Sequence, residues 1–102
     1  MISPRVSYYS ASGQAHWPDA YIGSDEYYAI DWDKALIPEG DSISGFAMWS
    51  VPPGLTASSE TTILNKAQLK LLALLPGDHV ITCTINTTKS QILVQKINLT
   101  VV

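Results

Sequence analysis

From His79 to Asn86 the chain reads HVITCTIN, and few stretches of this length leave so little choice of structure. Ile81, Cys83 and Ile85 fall on one side of an extended backbone; Val80, Thr82, Thr84 and Asn86 fall on the other. A period of two demands a strand with one buried face, because a helix would scatter the same residues around its circumference. Val, Ile and Thr also suit a pleated, half-buried surface. Pro76-Gly77-Asp78 before the run is turn chemistry, and TTKSQ (residues 87–91) after it reads as a hairpin connection. Residues 92–102 then supply the returning strand, with Ile97, Leu99 and Val101 inward.

The same grammar extends backwards. EYYAIDW (residues 26–32) is a short strand, and LIPEGD turns its corner through Pro38 and Gly40. From Ile43 to Val51 the positions Ile43, Gly45, Ala47, Trp49 and Val51 share a face, and Pro52-Pro53-Gly54 stops the run. LTASS and ETTILN are two further strand candidates, one of them at an edge. KAQLKLLALL (residues 66–75) is ambiguous. Its Leu, Ala and Lys favour helix, yet Gln68, Lys70 and Leu72 alternate against Leu69, Leu71 and Ala73; a strand is expected there, with a short helix as the alternative. Seven or so short strands between turn signals predict an all-β fold, a single immunoglobulin-like β-sandwich over residues 26–102. Its expected core includes Trp32, Trp49, Ile81, Cys83, Ile85, Ile97 and Leu99.

Residues 1–25 follow a different rule. They show no sustained period and combine Pro4, Pro18, Gly13 and Gly23 with Tyr8, Tyr9, His16, Trp17 and Tyr21. Disordered segments are poor in aromatics, so something orders this stretch, either the sandwich itself or the surface of a partner. The expectation is an extended N-terminal arm that leaves the sandwich and binds neighbouring subunits through Tyr8, Tyr9, His16, Trp17 and Tyr21. Tyrosine and tryptophan suit that task, offering large contact area with a polar edge.

Composition narrows the function classes. At 102 residues, 46% of them hydrophobic and only 15% charged, the chain is one globular domain. A formal net charge of −3 predicts no general attraction to nucleic acid or to an anionic membrane. No apolar stretch is long enough to span a bilayer, and the N-terminus lacks the pattern of a signal peptide. The single cysteine leaves no internal disulfide. Production in a cytoplasm is the expectation, which makes the Asn-X-Thr matches at Asn86 and Asn98 ordinary strand residues.

Reactive chemistry is thin. Cys83 sits among inward apolar positions, where cysteine acts as a small hydrophobe, not as a nucleophile paired with His16 or His79. The two histidines have no metal-ligand spacing, and Asp31-x-Asp33 is too short for a calcium loop. No phosphate loop or nucleophile elbow occurs. Neither catalysis, a metal nor a cofactor is expected. The acidic residues are uneven, however: Asp19, Asp25, Glu26, Asp31, Asp33, Glu39 and Asp41 lie within one stretch that holds only Lys34 as a base. That segment is either a solvated edge or a charge-complementary contact with a basic neighbour.

Read together, Asp31-Trp32, Leu36, Gly40-Asp41-Ser42-Ile43, Trp49, Pro52-Pro53-Gly54-Leu55-Thr56, Gly77 to Thr82 and Ile97 to Val101 form a pattern. Over residues 27–102 it resembles the small immunoglobulin-like virion proteins of tailed bacteriophages, of fiber-tail adaptor or head decoration type. Two features differ: ALLPGD replaces the usual Gly-Gly stretch, and the segment before residue 27 is longer and more aromatic. The resemblance implies a non-enzymatic structural protein in the virion, made in the bacterial host cytoplasm. The first expectation is a head decoration (cement) protein that binds the major capsid protein and bridges capsid subunits. An adaptor joining tail or neck proteins to fibers is the alternative, and contacts between copies of the chain fit either. From a different class, a secreted adhesion or carbohydrate-binding sandwich would want a signal peptide, disulfides or an aromatic platform.

Overall fold

Inward and outward positions separate along each long strand, and the two inner faces meet. The computed structural model describes residues 4–10 and 15–102. In chain order its elements are β1 (Arg5–Tyr8), β2 (Ala15–His16), β3 (Asp25–Asp31), helix α1 (Asp33–Leu36) running into a 3-10 turn (Ile37–Glu39), β4 (Ile43–Ser50), β5 (Leu55–Ile63), β6 (Lys66–Ala73), β7 (Gly77–Thr87) and β8 (Ile92–Val101). One sheet has the order β1-β3-β6-β5 and the other β2-β8-β7-β4. The fold is the expected all-β sandwich: β1-β3-β6-β5 and β8-β7-β4 follow the two-sheet order of an immunoglobulin-type sandwich, with β2 added beside β8 and β1 parallel to β3.

The helix-or-strand ambiguity at residues 66–75 resolves as strand β6. Ala67, Leu69, Leu71 and Ala73 are buried, while Gln68, Lys70 and Leu72 face outward. Ladders on both sides, to β3 and β5, supply more hydrogen bonding and burial than an isolated helical turn would. The two candidates in residues 55–65 are one strand, β5, interrupted by a bulge between Ser58 and Thr61. A second bulge, between Ser44 and Met48, lies on β4 with Gly45 at φ 76°. Both bulges fall on the edge strands of their sheets, where they twist the edge away from further pairing.

The core holds Trp32, Ile81, Cys83, Ile85, Ile97 and Leu99 as expected, all fully buried, and Trp49 packs against it half-buried. Across β7 and β8, Ile81 faces Ile97 and Ile85 faces Leu93. Gly54 lies under the imidazole of His79: a Cβ there would be 2.3 Å from Cε1, so any larger residue needs that ring to shift.

The N-terminal segment departs from the expectation of an arm that leaves the sandwich. Residues 1–3 and 11–14 lie outside the described residues; the remainder packs on the domain. β1 pairs parallel with β3, from Arg5↔Tyr28 to Tyr8↔Asp31. β2 pairs parallel with β8, and Trp17, Ala20 and Ile22 continue that ladder by donating backbone N–H groups to Asn98, Thr100 and Val102. The chain thus starts on one sheet and crosses to the other. Between them the Ser10 N–H donates to Oε1 of the buried Gln95, whose amide donates to the Lys96 carbonyl. Trp17 is 2% exposed, donates its indole N–H to the Ala29 carbonyl at 3.0 Å, and lies against Tyr28 and Trp49 with ring centroids 5.0 and 6.3 Å away. The physical reason is plain: the aromatic area that offsets the entropy of ordering this segment is buried in the chain's own core.

Trp17→Ala therefore destabilises the isolated protein by about 3–5 kcal/mol, the usual cost of a truncated core tryptophan. Urea unfolding followed by circular dichroism measures it; a free arm would leave the transition unchanged.

Candidate functional site

The five aromatic and imidazole residues proposed from the sequence do not converge. Trp17 is consumed by the core, and Tyr9 stacks on Trp32 with centroids 5.4 Å apart. Tyr8 is exposed with Nζ of Lys34 over its ring, at the end of the sandwich that carries α1. Tyr21 is exposed at the opposite end, and His16 is exposed on β2. Three outward side chains thus sit in three places.

Cys83 has no catalytic setting. Burial pushes its thiol up to about 12, against a smaller opposing effect from the indole N–H of Trp32. At that value the thiolate is absent near neutral pH. Among the described residues no group of three or more His, Cys, Asp or Glu side chains is placed to hold a metal.

The acidic segment breaks into separate roles. Asp25 pairs with Lys70 at 3.3 Å, and Glu26 pairs with Arg5. Asp41 is buried and builds the corner that the sequence marked with Gly40, which sits in the left-handed region at φ 62°. Oδ1 of Asp41 accepts the N–H of Ser42 at 2.8 Å, the hydroxyl of Thr88 at 2.7 Å and the N–H of Lys89 at 3.1 Å. Burial alone would raise this carboxyl. Hydrogen bonds from the Thr87 and Thr88 side chains and the Ser42 and Lys89 N–H groups outweigh it and hold the group at about 2. One carboxylate therefore locks the loop before β4 onto the β7–β8 hairpin.

Two surfaces remain for function. The first is the outer face of β4, β7 and β8. Phe46 (78% exposed), Met48, Val80, Ile92 and Val94 point to solvent from it. Register brings Met48, Thr84 and Val94 into one row across the three strands, with Asn86 and Ile92 in the next. Along these rows the side chains are apolar, hydroxyl or amide; the charged residues of the face lie beyond them, Lys96 opposite Thr82 and Asp78 opposite Thr100. A solvated sheet face carries polar residues at outward positions; here Ser44, Ser50, Thr82, Thr84, Asn86, Asn98 and Thr100 do so, and the exposed Phe46, Met48, Val80, Ile92 and Val94 are set among them.

The second is a groove of ≈ 350 Å³ on the outer face of the other sheet, lined by Asp31, Asp33, Thr61, Ile63, Leu64, Asn65, Lys66 and Gln68. Its walls are tied together. The Trp32 N–H donates to the Asn65 carbonyl at 2.8 Å, and the Asn65 amide donates to Oδ1 of Asp33 at 3.1 Å. Oδ1 of Asp31 accepts the Asp33 N–H at 2.9 Å. The hairpin tip beside the groove is Leu64, 88% exposed and at φ 56°, a conformation that a leucine side chain disfavours.

No protein-family model matches the chain, and no curated protein matches it. Solved structures share its fold. A region of MfFcnA4, an endo-fucoidan hydrolase of glycoside hydrolase family 107, aligns with a TM-score of 0.61 at 17% identity over 88% of this chain. This chain spans 13% of the length of that hydrolase. EhICP2, a cysteine protease inhibitor from Entamoeba histolytica, aligns over 95% of both chains with a TM-score of 0.53 at 9% identity. At these identities the likeness is one of fold alone.

Two outcomes test this geometry. Asp41 has its folded pKa below the ordinary value of 3.8, so its contribution is complete above that value and is lost as pH falls toward 2. Asp41→Asn accordingly lowers the melting temperature at pH 6, and the gap from the native sequence narrows between pH 4 and pH 2 in thermal melts. Cys83 stays unreactive toward a thiol-specific disulfide reagent at pH 8 in the native protein and reacts at once in denaturant.

Proposed function

We propose that this chain is a non-catalytic structural protein of a tailed-bacteriophage virion, a head decoration protein that docks on the capsid through the outer face of β4, β7 and β8. The observation that carries this reading is the set of exposed apolar side chains on that face, Phe46, Met48, Ile92 and Val94, among hydroxyl and amide neighbours. The pattern of Asp-Trp, Gly-Asp-x-Ile and Pro-x-Gly-Leu-Thr that resembles small virion proteins supports the same assignment. Moderate contacts of this size, repeated over a capsid lattice, hold by multivalency where one contact would not. In the host cytoplasm the protein folds alone, and the face is covered on joining the major capsid protein. An adaptor between tail or neck proteins and fibers would use the same face in few copies. Copy number by gel densitometry of purified particles distinguishes them: stoichiometry on the scale of the capsid protein means decoration, and a handful means adaptor.

The double variant Met48→Lys/Val94→Lys is expected to fold with stability within about 0.5 kcal/mol per site of the native protein, because both side chains are exposed. It should fail to bind particles that lack the native protein. Normal incorporation of this variant would remove the sheet face as the docking surface.

A further inference from the structure

We infer that the groove between the β3–α1 joint and the β5–β6 hairpin is a second docking site, built for an arginine side chain on an extended segment of a partner protein. The inference is independent of the virion reading and of the β4-β7-β8 face. Its first ground is charge. Asp31 and Asp33 stand on one wall, and each uses one carboxylate oxygen to accept an internal hydrogen bond, Asp31 from the Asp33 N–H and Asp33 from the Asn65 amide. Among the described residues the second oxygen of each takes no hydrogen bond, so two acceptors are free. Lys66, the cross-strand neighbour of Asp31, makes no ion pair among the described residues, so the groove keeps both carboxylates and a net charge of −1.

Its second ground is the opposite wall. Ile63 and Leu64 are among the most exposed apolar residues of the domain. An apolar wall facing two carboxylates matches a long side chain with an apolar stem and a cationic head. Arginine fits better than lysine, since its planar fork can reach two carboxylates at once where an ammonium is a single point charge. Donors on the groove floor, the Gln68 amide and the Lys66 ammonium, suit the carbonyl oxygens of an extended backbone.

Its third ground is what the tip retains. A two-residue hairpin connection of this kind favours Asn or Gly at its positive-φ position, yet Leu64 stands there almost wholly in solvent. Backbone strain borne by an exposed apolar residue brings no packing within the domain. It places a leucine beside the groove, ready to cover the stem of the incoming side chain.

The test is a titration of the full chain at low salt with the capped tripeptide Gly-Arg-Gly, followed through backbone amide resonances. Saturable shifts of Asn65, Lys66 and Gln68 are expected, with a weaker response to Gly-Lys-Gly and none to the uncharged citrulline analogue. Asp31→Asn/Asp33→Asn keeps the internal hydrogen-bond acceptors and should bind about fivefold more weakly, the scale of an exposed ion pair. Leu64→Asn should raise the melting temperature while weakening binding, a combination that a purely structural leucine would not give. Absence of a saturable shift, equal binding of citrulline peptide or of spermidine, shifts centred on Phe46 and Met48, or unchanged affinity in either variant would overturn the proposal.

Discussion

The slot between the two sheets must be filled and dry, and in this domain large aromatic rings complete that task. Trp32 lies at the end of β3 under Tyr9, and Trp17 enters from the β8 side to meet Tyr28 and Trp49. Trp32 continues the inward alternation of Tyr28 and Ile30 past the end of β3, whereas Trp17 belongs to no long strand. Trp17 and Tyr9, from the N-terminal segment, pack against Tyr28, Trp49 and Trp32, so that segment is a structural part of the domain. A sandwich of this length has a modest core, and losing one such ring removes a large fraction of it.

With the slot closed, the remaining irregularities can be placed where they do other work. Bulges occur on β4 and β5, the edges most exposed to pairing with another chain, and the Ala47 N–H within the β4 bulge is taken by the Thr62 hydroxyl at 3.0 Å. These edges offer no continuous ladder for strand addition. The exposed apolar side chains lie on faces instead: among polar neighbours on β4, β7 and β8, and beside the mixed groove on the opposite sheet. The two differ in chemistry: the first mixes apolar, hydroxyl and amide side chains, and the second sets two carboxylates beside Ile63 and Leu64.

Rigidity of the α1 end comes from polar groups. Asp41 gathers donors from its own turn and from the β7–β8 hairpin, while Asn65 ties the β5–β6 tip to Asp33 and Trp32. Three loops that are far apart in sequence therefore hold one another, and the surface they present is fixed by hydrogen bonds to buried or half-buried groups.

The sequence by itself determined the strands, because side-chain period is a local property. Ile81, Cys83 and Ile85 must share a face whatever they pack against, and Gly40 with Pro38 must turn the chain whatever follows. Phe46 and Met48 fall opposite the face of Ala47 and Trp49 by the same alternation, but their exposure is decided by which face the sandwich buries. Tertiary structure alone decided the rest. β1 and β2, with four and two residues, are too short to show a period, so nothing local told whether Trp17 would seek its own core or a partner. Asp41 reads as a turn residue in sequence, since the Thr88 hydroxyl that defines its role is 47 positions away. The groove arises only when β3 and β6 pair with Asp31 opposite Lys66, which brings an acidic turn beside an apolar hairpin tip. Register between distant strands is set by the burial of whole faces, and no short window of sequence contains it.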